Sequence, residues 1–320
     1  MEIKNTKRTP VKAVIDDFTF CCQYERNLSK KTIAAYNIDL HQWFSFLSKL
    51  DINDIESVGK EAIKTYLQEI SHFKIKTIKR KIASLKAMFN FWEYENDDFI
   101  NPFRKIRIKL KEAHSLPSVM VIGEVKQILD FVYKEKMQKE NKIRYSYNTI
   151  LRDIAVLELL FATGIRVSEL CDLKEENIDL KSGEIKITGK GNKERYIQIY
   201  NKETKMALKI YFQKFETQIK KSGFFFVNRL HNQLSTQSVR LMIHQKAQKA
   251  GLTKKITPHT FRHTFATLLL EENVDIRYIQ GMLGHSTITT TQLYTHISTE
   301  KQRTILKAKH PRQKFKFEAD

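Results

Sequence analysis

Cysteine is scarce in this chain, with three in 320 residues: Cys21, Cys22 and Cys171. None of them forms a CxxC pair. An adjacent pair and one distant residue cannot supply a disulfide framework, so a small stapled secreted fold is excluded. They read as reduced thiols of a cytosolic protein, with Cys21–Cys22 as helix packing rather than a metal site. Long apolar runs are missing too. No stretch approaches the roughly 20 residues that span a bilayer. The opening MEIKNTKRTPVK lacks the apolar core of a signal peptide. There is no internal repeat and no low-complexity tract. Acidic residues are outnumbered, 36 Asp+Glu against 56 Lys+Arg, which leaves a net charge of +20. A globular protein this basic is suited to a polyanion, and nucleic acid is the commonest. A membrane-surface role has no amphipathic anchor to support it.

What is present is mostly helical pattern. LSKKTIAAYNIDLHQWFSFL opens with Ser29 as a cap and places Ile33, Tyr36, Leu40, Phe44 and Leu47 at helical spacing. GKEAIKTYLQEI and KIKTIKRKIASLKAMFNFWEYE repeat it. In the latter the second face is basic, through Lys76, Lys79, Arg80 and Lys86. That face suits either solvent or a phosphate backbone. Asn101-Pro102 stops the pattern, and a basic stretch with Arg104 and Lys105 runs on to Leu116-Pro117. Three parts follow: a helical domain over 1–102, a basic interdomain linker over 103–118, and a second domain over 119–320. The second domain opens with helices, the second of which Gly164 ends or bends. SGEIKITGKGNKERYIQIY then alternates as two strands, Glu184–Thr188 and Arg195–Tyr200, around a Gly-Lys-Gly turn. The fold class is mainly α with a small antiparallel β-sheet.

TPHTFRHTFATLL gathers two histidines and an arginine. Thr257 caps a helix and Pro258 suits its first position. Phe261, Phe265 and Leu268 share one face, and His259, Arg262 and His263 the other. Three further stretches go with it: ATGIRVSEL with Arg166, TGKGNKER with Lys190, and MLGHSTITTTQLYTH with His285 and then Tyr294.

In this order, ending in a tyrosine, these motifs resemble the tyrosine site-specific recombinases, the integrase family, over Leu28 to Thr299. ATGIRVSELCDLK and GKGNKER are most similar to the Xer-type branch. The resemblance implies a helical core-binding domain followed by a mixed α/β catalytic domain. It assigns Arg166 and Arg262 to the non-bridging oxygens of a scissile phosphate, which planar, permanently charged guanidiniums suit. It assigns His259 and His285 to hydrogen bonding and proton management there, Tyr294 to the nucleophile, and Lys190 to the general acid, with Lys193 as a rival. His263 supports structure or contacts backbone, and Tyr278 is core.

The implied reaction cuts and rejoins DNA through a covalent 3′-phosphotyrosine and a Holliday junction. It needs no cofactor, metal or nucleotide. The implied partner is double-stranded DNA with a specific recombination site. It is bound by a homotetramer, or a heterotetramer with a second recombinase, on two sites. The setting is cytoplasmic and nucleoid-associated, with no membrane. Chromosome dimer resolution and mobile-element integration, excision or inversion both fit, although no extra arm-site domain precedes Pro10. A type-IB-like topoisomerase and a catalytically inactive DNA-binding protein are the alternatives. DNA contacts are expected from Lys76, Lys79, Arg80, Lys86, Arg104 and Lys105. Thr299 to Lys309 reads as a last helix with Ile305 and Leu306 apolar, ended by Pro311, and the resemblance implies docking on a neighbouring protomer.

Overall fold

A computed structural model describes residues 8–111, 118–139, 144–189, 194–284 and 299–314. The chain divides into two compact units, Met1–Ser115 and Leu116–Asp320.

The first unit packs four helices: α1 (Val11–Phe20), α2 (Lys30–Ser48), α3 (Lys60–Glu69) and α4 (Ile75–Glu95). A π-helical turn, Cys21–Glu25, extends α1 and buries both cysteines. Ser29 caps α2: its hydroxyl oxygen accepts a hydrogen bond from the Thr32 amide at 3.2 Å. That satisfies one of the orphan donors of the helix terminus. The apolar stripe then faces inward. Leu40 and Leu47 are fully buried, and Ile33, Tyr36 and Phe44 pack on the same core around Trp43 and Phe89.

The stretch expected to begin an interdomain linker is, in its first part, attached to this unit. Phe103 enters the core in a short 3₁₀ turn, Pro102–Lys105. Beyond it Ile106, Ile108 and Leu110 pack on the core while Arg107, Lys109 and Lys111 are exposed. The alternation of apolar and basic residues there is that of an extended segment lying on a surface.

The second unit contains α5 (Ile122–Lys139), α6 (Arg144–Thr163), the short α7 (Val167–Cys171), β1 (Ile178–Asp179), β2 (Glu184–Thr188) and β3 (Glu194–Gln198). Five more helices follow: α8 (Lys202–Ser222), α9 (Thr236–Lys249), α10 (Pro258–Glu271), α11 (Ile276–Leu283) and α12 (Thr299–Lys309). The sheet is antiparallel in the order β1-β2-β3, with Ile185 opposite Ile197. β2 has the bounds the alternation predicts, and β3 begins one residue earlier and ends two residues before the predicted Tyr200. The two-residue β1 is too short to carry a periodic signal, and the sequence does not predict it. α6 lies at the centre of the main core, where Ala155, Leu157, Leu159 and Phe161 are fully buried. A second, smaller core joins α10, α11 and α12 through Phe265, Leu269, Met282 and Leu306.

In this single chain the last helix packs on α10 and α11 of its own unit. Lys309 Nζ donates to the Glu272 carbonyl at 2.9 Å, and a 3₁₀ turn, Pro311–Lys314, follows. No described helix is long and apolar enough to cross a membrane.

Candidate active site

Gly164 organises the site. It ends α6 in the left-handed region, φ +59°, which glycine adopts without strain. A Cβ at this position would lie 2.8 Å from both Leu283 Cδ2 and Phe265 Cδ1. The turn it makes delivers Arg166 to the first position before α7. α10 begins as its sequence predicts. Thr257 Oγ1 accepts the Thr260 N–H at 3.2 Å, and Pro258 opens the helix. Both are the residue types that these positions favour. Phe261, Phe265 and Leu268 are buried, and His259 and His263 are exposed. Arg262 departs from the expected polar face and is buried, only 7% exposed.

The reason lies at the end of α11, where three consecutive carbonyls each accept from a different arginine. Arg195 Nε donates to Met282 O at 3.2 Å, Arg262 Nη2 to Leu283 O at 2.7 Å, and Arg166 Nη2 to Gly284 O at 2.9 Å. Arg262 Nη1 also donates to Gly164 O at 2.9 Å. A helix C-terminus presents unpaired carbonyls and partial negative charge, so it holds guanidiniums well. Gly284 closes the helix with φ +66°, and a Cβ there would sit 3.1 Å from the Arg195 guanidinium. Glycine is the usual residue at such a left-handed helix end.

Among the described residues one carboxylate serves this cluster. Glu169, itself buried, accepts the Arg166 backbone N–H at 3.0 Å and Arg166 Nη1 at 2.8 Å. It also takes Arg195 in a two-pronged pair at 2.9 and 2.7 Å, the strongest geometry for these groups. Burial pushes the Glu169 carboxyl up, but the hydrogen bonds and charge of Arg195 and the hydrogen bonds from Arg166 outweigh it and hold it below the usual range. Burial, then the nearby Arg166 charge, pushes Arg262 down to about 10, so it stays cationic at neutral pH. His259 is held below its ordinary value by partial burial and by the charges of His263, Arg262, Arg240 and Arg166. Its imidazole is therefore predominantly neutral at neutral pH and able to accept a proton.

Arg166, His259 and Arg262 are thus brought into one electropositive neighbourhood. Lys190, His285 and Tyr294 lie outside the described residues. Sequence reading missed Glu169 and Arg195. Glu169 had a signal, an acid three residues after Arg166 at a helix start. Arg195 had one too, as the last residue of GKGNKER.

The six expected DNA contacts lie in the first unit. Lys76 and Lys105 are exposed, as is Lys79. Lys86 lies over the Phe103 ring at 5.7 Å. Arg104 pairs with Glu93 at 2.9 Å, and Arg80 pairs with the buried Asp39, which also meets Lys81 at 3.5 Å. Among the described residues no cluster of three or more His, Cys, Asp or Glu side chains could hold a metal ion.

Residues 122–301 match the model of the phage integrase family, and residues 15–96 match that of the phage integrase N-terminal SAM-like domain. The chain belongs to the phage integrase family of tyrosine recombinases. It is 44% identical over 304 residues to a tyrosine recombinase of Agathobacter rectalis, a match covering 95% of this chain and 98% of that one. It is 34% identical over 299 residues to tyrosine recombinase XerC of Anoxybacillus flavithermus, with 91% and 95% covered. Its fold is similar to that of XerH site-specific recombinase bound to difH substrate, with a TM-score of 0.68 at 23% identity, covering 88% and 82% of the two chains. As a tyrosine recombinase it is an enzyme that cuts and rejoins DNA in site-specific recombination, and neither a type-IB-like topoisomerase nor an inactive binder is favoured.

Proposed function

We propose that Arg166 and Arg262 bind the two non-bridging oxygens of the scissile phosphate, and that Tyr294 attacks its phosphorus. The observation that carries this reading is the pair of guanidiniums held on the successive carbonyls of Leu283 and Gly284. Each keeps N–H donors beyond those engaged in these bonds, because a guanidinium has five. A phosphate oxygen is the natural acceptor for them. Neutral His259 accepts the phenol proton or hydrogen-bonds the phosphate, and His285 shares this work. Lys190 protonates the departing 5′-oxygen. The 3′-phosphotyrosine conserves the energy of the broken bond, so a 5′-hydroxyl of a second strand reseals it by the reverse step.

On this reading the first unit is the core-binding domain, holding one face of a specific double-stranded site. Four protomers on two sites exchange strands through a Holliday junction. The protomers are either identical or shared with a second recombinase. The work is chromosome dimer resolution of the Xer type, or mobile-element integration, excision or inversion, in the cytoplasm at the nucleoid.

The test is covalent capture on a suicide duplex nicked beside the cleavage site. Wild-type protein forms the adduct; Tyr294→Phe binds the duplex but forms none. An adduct with the phenylalanine variant would remove Tyr294 from the role.

A further inference from the structure

Arg195 stands apart from the other two arginines at the α11 end. Its Nε, Nη1 and Nη2 are all engaged by protein, on Met282 O and both oxygens of Glu169. Its side chain is 14% exposed, against 37% for Arg166. Arg166 spends one side-chain donor on Glu169 and one on Gly284 O. Three of the five donors of its guanidinium are left for other acceptors. Arg195 is therefore built to hold protein, and Arg166 to reach outward.

The charges say what is held. Arg166 and Arg195 share a single carboxylate, Glu169. With Arg262, three guanidinium charges face one carboxylate among the described residues, so this cluster carries two net positive charges, to which the proposed general acid Lys190 adds its own. A phosphodiester attacked by an oxygen that has lost its proton passes from one negative charge to two, and a guanidinium cluster with two net positive charges stabilises the added charge better than one with a single charge. Without Arg195 the count falls to one. Glu169 would then be left to Arg166 alone, competing with the phosphate for its guanidinium.

We infer that Arg195 is a positioning residue for phosphate binding: it neutralises Glu169, so that this carboxylate orients Arg166 without occupying its charge, and it pins the Met282 end of α11 on which Arg262 and Arg166 rest. The inference rests on the reading of Arg166 and Arg262 as the phosphate-binding pair.

The experiment uses the full chain in single-turnover cleavage of suicide duplexes with three scissile groups. These are an ordinary phosphodiester, a methylphosphonate, and a 5′-bridging phosphorothiolate. The methylphosphonate carries one charge fewer, and the sulfur leaving group of the phosphorothiolate needs no proton. Arg195→Gln slows cleavage of the ordinary duplex at least about tenfold, with duplex affinity retained. Its defect shrinks on the methylphosphonate and persists on the phosphorothiolate. Arg195→Lys keeps the charge but not the two-pronged geometry, and it falls between wild type and Arg195→Gln. This variant keeps the comparison available should Arg195→Gln fold poorly, which its thermal midpoint reports. Three results overturn the inference: unchanged cleavage, an equal defect on phosphodiester and methylphosphonate, or rescue by the phosphorothiolate. Arg166→Ala run alongside separates the two readings. If the methylphosphonate does not relieve Arg166→Ala, the phosphate-pair assignment itself fails.

Discussion

Arg312 and Glu158 meet with both side chains wholly buried: Nη2 donates to Oε1 at 2.8 Å and Nε to Oε2 at 3.0 Å. Tyr133 and Thr204 hydroxyls donate to the same carboxylate at 2.9 and 2.8 Å, and Arg312 reaches Glu203 at 3.2 Å. The segment after α12 is thus an internal plug of the catalytic unit. Burial lowers the arginine's pKa, but the hydrogen bonds and charge of Glu158 prevail and raise it above its ordinary value.

Removing one member of such a pair leaves the other charge buried and uncompensated. Arg312→Ala therefore costs about 3–5 kcal/mol of stability in the second unit. Denaturant unfolding of the full chain reads this directly. An unchanged midpoint would mean the segment is a frayed tail.

The same plug gives a pH dependence. His310 is buried, accepts the Arg312 backbone N–H on Nδ1 at 3.0 Å, and packs edge-on against Phe161 at 5.5 Å. Burial pushes its imidazole down to about 4 from an ordinary 6.5, with the Arg312 charge adding to the effect and carbonyls of Phe161 and Ala162 opposing it. The folded chain therefore holds the neutral form. That contribution is complete above pH 6.5 and lost as pH falls towards about 4. Carboxylates titrate in part of this window too, so the measure is the difference between wild type and His310→Gln. The wild type loses more stability than the variant between these two pH values. Parallel curves would refute the assignment.

Legibility in the sequence followed physical signal. Amphipathic periodicity marked α2, α4 and α10, because burial of one face needs it. Caps at Ser29 and Thr257 were readable for the same local reason, and the alternating runs placed β2 and β3, although Lys190 and Gly191 of the Gly-Lys-Gly turn expected between them lie outside the described residues. The arginine cluster was only half readable. The motifs named Arg166 and Arg262, but nothing local shows that both rest on the end of α11, whose Gly284 lies 118 positions from Arg166 along the chain. Arg80 looked like Lys76 and Lys79 on a basic face. Its partner Asp39, 41 residues away, is visible only in three dimensions. The burial of Arg312 after α12 turned on the same kind of distant contact, with Glu158 in α6.

Gly164→Ala tests whether the α6 terminus sets the site. The left-handed backbone alone costs a non-glycine residue roughly 1–3 kcal/mol. The new methyl would also press on Leu283 and Phe265 at 2.8 Å. Because Gly164 O anchors Arg262, cleavage falls more than affinity for duplex. Thermal unfolding and single-turnover cleavage together check this, and loss of stability with undiminished cleavage would detach the turn from the chemistry.

Lys190→Ala tests proton delivery. The variant should be crippled on an ordinary phosphodiester and recover most of its rate on a 5′-bridging phosphorothiolate, whose leaving group needs no proton. Equal loss on both would reduce Lys190 to positioning. Rescue of Lys193→Ala instead would move the acid to that residue.

The first unit's basic residues divide into two kinds, and salt separates them. Lys76, Lys105, Arg107 and Lys109 are exposed. The last two alternate with Ile106 and Ile108, which pack on the core. These are the candidates for phosphate. Arg80 instead pairs with buried Asp39 alongside Lys81. Log affinity for duplex DNA should fall linearly with log salt, each neutralised phosphate contributing about −0.9 to the slope. Lys76→Ala and Lys109→Ala should each make the slope shallower by up to about that amount while leaving the unfolding midpoint alone. Arg80→Ala should do the reverse, lowering the midpoint because it weakens the pairing of a buried carboxylate. A shallower slope for Arg80→Ala at unchanged stability would restore it to the DNA-binding face. An unchanged slope for both lysine variants would take the α4 face and the segment after Phe103 off the DNA.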